Sequence, residues 1–222
     1  MRKTFFAAGI FILAGSKGEE LLLTVKHHKG EVYKLPGGTS EKQGGRDFYI
    51  PDSKNSVLEK IRETLSKVFG RKVIDLHEKE VNEILLSLTT TNVGQYALQM
   101  VVELIEETGL IPIKFELFEH KVVSPEHDQY FYVIEEVMTW SSFEGHFVPI
   151  KEGDNVEFLP KRGIDFHCVD FDIEDTALLP LGDSTAKYNF ARSHISVVDG
   201  FVINREKSQK TSQDDLLASY GY

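Results

Sequence analysis

Glu103-Leu104-Ile105-Glu106-Glu107-Thr108-Gly109-Leu110 places three carboxylates at i, i+3 and i+4. On a helix those positions share one face. At an effective dielectric of about 20 and a separation of about 5.5 Å, each like-charge pair repels by roughly 3 kcal/mol. Water relieves that repulsion. A divalent cation reverses it, because hard cations such as Mg²⁺ take carboxylate oxygens and keep waters for a phosphate substrate. An acidic, solvated helix face is the alternative reading. The helix itself is expected over Gln95–Glu107. Ala97, Leu98, Val101, Leu104 and Ile105 form its core-facing stripe and the glutamates its outer face. Gly109 is a natural C-cap.

A second element upstream bears on the choice: Leu35-Pro36-Gly37-Gly38-Thr39-Ser40-Glu41. Its glycines let backbone atoms approach a ligand closely. Together the two elements resemble the ends of the Nudix box, G-x5-E-x7-R-E-U-x-E-E-x-G-U. Glu103 stands 65 positions after Gly38, whereas the box needs 15, so about 50 residues interrupt the motif. Val102 stands where the box has its arginine, and Gly94 where it has its first glutamate. The resemblance covers roughly residues 4–44 and 93–180.

The resemblance implies a fold and a chemistry. The fold is α/β, a Nudix-like α/β/α sandwich with a mixed β-sheet, here with a helical insertion inside the box. The activity is Mg²⁺- or Mn²⁺-dependent cleavage of the pyrophosphate of a nucleoside diphosphate linked to another moiety. Glu106 and Glu107 map onto metal-binding glutamates. Glu103 maps onto the one that helps bind metal or accepts the proton of the attacking water. The backbone carbonyl of Gly37 would be a further ligand, with Gly38 beside the substrate. Family members often add an acidic residue from a later loop; Glu152 fits that place best, ahead of Glu126 and Asp128. In the family the box arginine orients carboxylates, and such a bond is worth about 1.5–3 kcal/mol. Arg46 and Arg62 are candidates to replace it. Pro125 follows Gly109 by 16 residues. That resembles a placement seen in ADP-ribose pyrophosphatases, which leans the substrate toward ADP-ribose or a nucleotide sugar; a simple turn proline is the alternative. Tyr130 and Tyr132 resemble a dinucleoside polyphosphate hydrolase spacing, but alternating strand tyrosines commonly pack.

Composition narrows the partners. Charged residues at 27% and hydrophobic residues at 41% describe a globular chain able to bury a core. A net charge of −10 argues against nucleic acid and anionic membranes as partners. It does not argue against a small polyphosphate, because a bound cation supplies local positive charge. Cys168 is the single cysteine, so no intramolecular disulfide forms; it reads as a half-buried strand residue. Met1-Arg2-Lys3 followed by Phe5–Ala14 has the outline of a signal peptide. The reading taken instead is a buried first strand, which the resembled fold requires there, in a cytoplasmic protein. No run reaches the ~18 apolar residues of a membrane span.

Along the chain, residues 4–14 and 20–27 read as strands around the turn Gly15-Ser16-Lys17-Gly18. Residues 45–92 form the insertion, with eight basic and eight acidic residues. Ser56-x-x-Glu59 and Asp75-x-x-Glu78 read as capping boxes. They precede the stripes Val57, Leu58, Ile61, Leu65, Val68 and Val81, Ile84, Leu85, Leu88. Two amphipathic helices are therefore expected, packed on the domain or on a partner. Strands are expected at Lys114–Val122, Gln129–Val137 and Val156–Leu159, and a C-terminal helix opening at Asp175–Leu179 and resuming at Ser184–His194. One domain spans 1–204, with 205–222 a flexible tail. Three functions follow: a Nudix-type hydrolase, a catalytically weak nucleotide-binding or regulatory module, and an interaction protein that docks a partner or a second copy, as a homodimer, through the insertion.

Overall fold

The structure, a computed structural model, describes residues 4–27, 32–40, 54–90, 93–140, 147–154 and 175–219. The sheet is built around β1 (Thr4–Ala14). On one edge β1 runs parallel to β6 (His127–Trp140), from Thr4 opposite His127 to Phe11 opposite Ile134. Its other edge is shared by two antiparallel partners. β4 (Gly37–Thr39) takes the first part, with Ala7 opposite Gly38 and Ala8 opposite Gly37. β2 (Glu20–His27) takes the last part, with Ile12 opposite Leu22. β3 (Val32–Lys34) and β8 (Asp175–Pro180) flank β2, while β5 (Ile111–Ser124) and β7 (Phe147–Lys151) flank β6. The sheet is mixed, as expected.

Both faces of this sheet are covered. Phe5, Ala7, Phe11 and Leu13 of β1 pack with α4 (Gln95–Thr108) and with the insertion helices. The alternate residues Ala8, Ile10 and Ile12 pack with Leu22, Phe131 and Leu179. Val197, Val198 and Phe201 of α6 (Arg192–Ser219) close that second core. Side chains alternate across a strand, so a strand covered on both faces reads as a continuous apolar run. That is why Phe5–Leu13 has the outline of a signal peptide and yet is the central strand.

The insertion holds three helices: α1 (Lys54–Phe69), α2 (Arg71–Leu76) and α3 (Glu78–Thr90). Ile61, Leu65 and Val68 of α1 and Val81, Ile84 and Leu88 of α3 lie in the same core as α4. The expected apolar stripes therefore pack back on the domain. The expected starts are wrong: Ser56 lies inside α1, and Asp75 inside the short α2, which the two-helix reading did not contain. Gly70, at φ 87°, makes the break between α1 and α2.

The C-terminal part differs from expectation. Asp175–Pro180 is strand β8, antiparallel to β2 with Leu23 opposite Leu178, not the opening of a helix. A short run such as Ala177-Leu178-Leu179 suits either conformation, and the open edge of β2 decides it. Helix resumes in α5 (Ser184–Lys187) and then in α6, which continues to Ser219 through the stretch expected as a tail. Cys168 and Val156–Leu159 fall outside the described residues, as does Arg46. Among the described residues no helix is long and apolar enough to cross a membrane.

Candidate active site

The site forms where the C-terminal half of α4 meets the turn between β3 and β4. α4 ends on Gly109, whose φ of 72° is left-handed and whose N–H donates to the Ile105 carbonyl at 2.9 Å. Ala97, Leu98, Val101, Leu104 and Ile105 are all buried, as the stripe required. The glutamates do not simply face water: Glu107 is buried, and Glu103 and Glu106 are half-buried.

Glu107 joins the two ends of the interrupted motif. The Gly37 N–H donates to its Oε2 at 2.7 Å, and the Lys34 ammonium donates to its Oε1 at 3.0 Å. Both bonds are charge-assisted, the stronger kind. Glu103 lies against the same dipeptide. A Cβ added at Gly38 would come within 2.2–2.4 Å of the Glu103 carboxyl atoms, so only glycine leaves that carboxylate its place. Gln99, one turn earlier, donates its Nε2–H to Glu103 Oε1 at 2.6 Å. At Gly37 a Cβ would stand 2.3 Å from the Ala7 carbonyl oxygen. The turn is thus pressed between β1 and α4.

Glu106 has different surroundings. Burial raises its pKa, opposed by the charges of Lys67 and Lys60 on α1 and reinforced by Glu63. Its position on α4 is about 100° around the helix from Glu107, which turns it toward the insertion. The three carboxylates therefore do not form one tripod. Among the described residues no group of three or more His, Cys, Asp or Glu is arranged to hold a metal ion. Two members, Glu103 and Glu107, suit a cation at the Gly37–Gly38 turn by donor chemistry, and the Lys34 ammonium already stands there as one, 3.0 Å from Glu107 Oε1.

Glu152 does not join them. Its carboxylate pairs with Arg205 of α6, which also holds Glu20. The next residue, Gly153, donates its N–H to the Ile12 carbonyl at 3.3 Å. Ile12 is four residues along β1 from Ala8, the partner of Gly37, or about 13 Å at strand rise. Of the runners-up, Asp128 is buried 3.7 Å from His120 Nε2, and Glu126 is exposed in the turn between β5 and β6. Pro125 is exposed in the turn between β5 and β6. Tyr130 and Tyr132 pack in the core; Tyr130 stacks on Tyr96 with ring centroids 3.9 Å apart. Burial pushes the Tyr132 hydroxyl up to about 12.

Of the two proposed arginines, Arg46 lies outside the described residues and Arg62 is held away from the site. Arg62 donates to Asn82 at 3.1 Å and pairs with Glu78 at 3.4 Å, both within the insertion. Val102, at the box-arginine position, is a core residue. The cation at Glu107 is Lys34, which the motif reading missed; its only sequence signal is its place immediately before Leu35-Pro36-Gly37-Gly38. Gln99 was more legible, because Gln and Glu four apart on a helix meet. His194 had no such signal. Its ring is buried against Phe6 and Phe131, and its Nδ1 accepts the Leu35 N–H at 3.1 Å. Burial, with Lys34 and Lys121 nearby, lowers its pKa to about 4, so it is neutral and carries its proton on Nε2.

No protein-family model matches the chain, and no curated protein matches it. Solved structures do. MutT, studied from Aliivibrio salmonicida and Vibrio cholerae, aligns over 91% of this chain and 99% of its own, at 15% identity and a TM-score of 0.43. NrtR of Shewanella oneidensis, solved with a 27mer DNA, aligns over 88% of this chain and 58% of its own, at 11% identity and a TM-score of 0.40. A Nudix hydrolase of Alicyclobacillus acidocaldarius aligns over 90% of each chain, at 12% identity and a TM-score of 0.35. The mixed sheet covered by helices on both faces is itself the architecture that the two sequence elements implied.

Proposed function

We propose that the chain is a Nudix-type diphosphohydrolase, dependent on Mg²⁺ or Mn²⁺, acting on a nucleoside diphosphate linked to another moiety. One observation carries the reading: the Gly37 N–H donates to Glu107 at 2.7 Å, joining the glycine turn to the acidic helix across the insertion. Glu103 and Glu107 would hold the cation, with the Gly37 carbonyl beside them and Glu106 added if its side chain turns from α1. Such an ion, when bound, polarises phosphoryl oxygens and makes water a nucleophile at neutral pH. The chain's own residues do the rest. Gly38 leaves room for Glu103, Gln99 orients it, and Gly37 fixes Glu107. Pro125 supports a lean toward ADP-ribose or a nucleotide sugar, and a net charge of −10 supports a small substrate rather than nucleic acid.

A second reading, a nucleotide-binding module with weak turnover, is favoured by the occupied state of Glu107 and by the core valine at 102. A panel of nucleoside diphosphate derivatives, assayed for nucleoside monophosphate release with Mg²⁺ and with Mn²⁺, separates the two. Turnover is expected, with Glu107→Gln losing about 100-fold in kcat/KM. Binding without release across the panel favours the module. Turnover that Glu106→Gln and Glu107→Gln both leave unchanged removes the site assignment.

A further inference from the structure

Lys34 does something that the box pattern does not provide for. Its ammonium lies 3.0 Å from Glu107 Oε1, with the two side chains 21% and 10% exposed. A carboxylate so enclosed needs a counter-charge, because stripping one partner from a buried pair leaves a costly isolated ion. An arginine at 102 would be the expected source, but Val102 belongs to the core. Lys34 is also unlike an arginine in kind: a point charge on a flexible stem, able to move its single ammonium from one oxygen to another. It ends β3, three residues before Gly37, and so stands beside the glycine turn.

We propose that Lys34 and a divalent cation compete for Glu107, and that the displaced ammonium then binds a phosphate oxygen of the substrate. This rests on the hydrolase reading above. A doubly charged ion outbids a singly charged one for the same carboxylate, so metal loading releases the lysine. A freed ammonium beside the glycine turn meets the substrate's negative charge with no new residue required. Lys34 thus couples metal binding to substrate binding, and contacts substrate only when the cation is present.

The test uses the full chain and Mn²⁺ alone as first probe, read by electron paramagnetic resonance of the free ion. Lys34→Met removes the competitor, so Mn²⁺ is expected to bind about tenfold more tightly. With substrate and saturating Mn²⁺, KM is expected to rise about tenfold while kcat changes less. Lys34→Arg, which keeps a cation, is expected to stay near the parent in Mn²⁺ affinity. A merely structural lysine predicts the opposite sign, because a loosened site binds metal less well. Lys34→Gln serves as the second variant if Lys34→Met does not fold. Unchanged or weaker Mn²⁺ binding in the neutral variants, beside a parent that binds Mn²⁺, overturns the competition alone. A parent that binds no Mn²⁺ overturns the metal-dependent reading together with it.

Discussion

Two regions meet on the last turns of α4, and they treat neighbouring carboxylates differently. The β3–β4 turn presents a glycine N–H and a lysine ammonium to Glu107. The insertion presents an apolar helix face with Lys60, Glu63 and Lys67 nearby, and burial raises the pKa of Glu106 there. One residue of separation is about 100° of helix rotation, enough to place adjacent glutamates in separate environments. The turn is polar, tightly fitted and local to the chemistry. The insertion is part of the core, and its contribution to the site is steric and electrostatic.

The largest expected effect tests that the insertion is structural. Leu65 of α1 is fully buried in the core shared with α4. Leu65→Ala is expected to destabilise the whole chain by about 2–5 kcal/mol, read by denaturant unfolding. A change near zero would mean that the insertion folds apart from the domain, and the contrast between the regions would dissolve.

A somewhat smaller effect tests the turn. His194 holds the Leu35 N–H from the side opposite α4, and its pKa is lowered from 6.5 to about 4. A lowered histidine pKa means that the unfolded chain takes up the proton first. Its stabilising contribution is therefore fully present above pH 6.5 and is lost as pH falls toward 4. Across that window the loss approaches about 3 kcal/mol. Unfolding free energy measured from pH 7 to pH 4 should show this slope, and His194→Gln should flatten it. An equal slope in the variant would assign the pH dependence elsewhere.

The smallest effect on stability should carry a disproportionate effect on the site. Gly38→Ala puts a methyl group where the Glu103 carboxylate lies. Overpacking of this kind costs about 1–3 kcal/mol, softened because a side chain can move away. Activity is expected to fall more than stability does, since the displaced group is Glu103 itself. Parallel thermal-unfolding and kcat/KM measurements separate the two, and a variant with parent-like activity would show that the position of Glu103 is immaterial.

Much of the fold was legible because it is driven by apolar patterning. β1 and β2 were readable as apolar runs broken by glycine turns, α4 by its stripe, and the insertion stripes by their spacing. The misreadings share one cause: the local signal was compatible with two conformations. Asp175–Pro180 became a strand because β2 offered it an edge. The polar residues after Arg205 stay helical because α6 is seated lower down, where Val197, Val198 and Phe201 pack on the sheet. Arg205 then ties the helix to Glu20 and Glu152.

For the site, the sequence by itself determined which groups are available. Glycine-glycine after a strand and three glutamates at helical spacing are local facts, fixed by backbone freedom and helix geometry. Only the tertiary structure decided how those groups are used. It brought Gly37 to Glu107 across the insertion, turned Glu106 toward α1, and drew Glu152 to Arg205 instead. It also supplied Lys34 as a counter-ion where the motif has an arginine. These outcomes depend on which distant segments share a boundary, and a carboxylate's partner is set by whatever donor the folded chain leaves within about 3 Å of it.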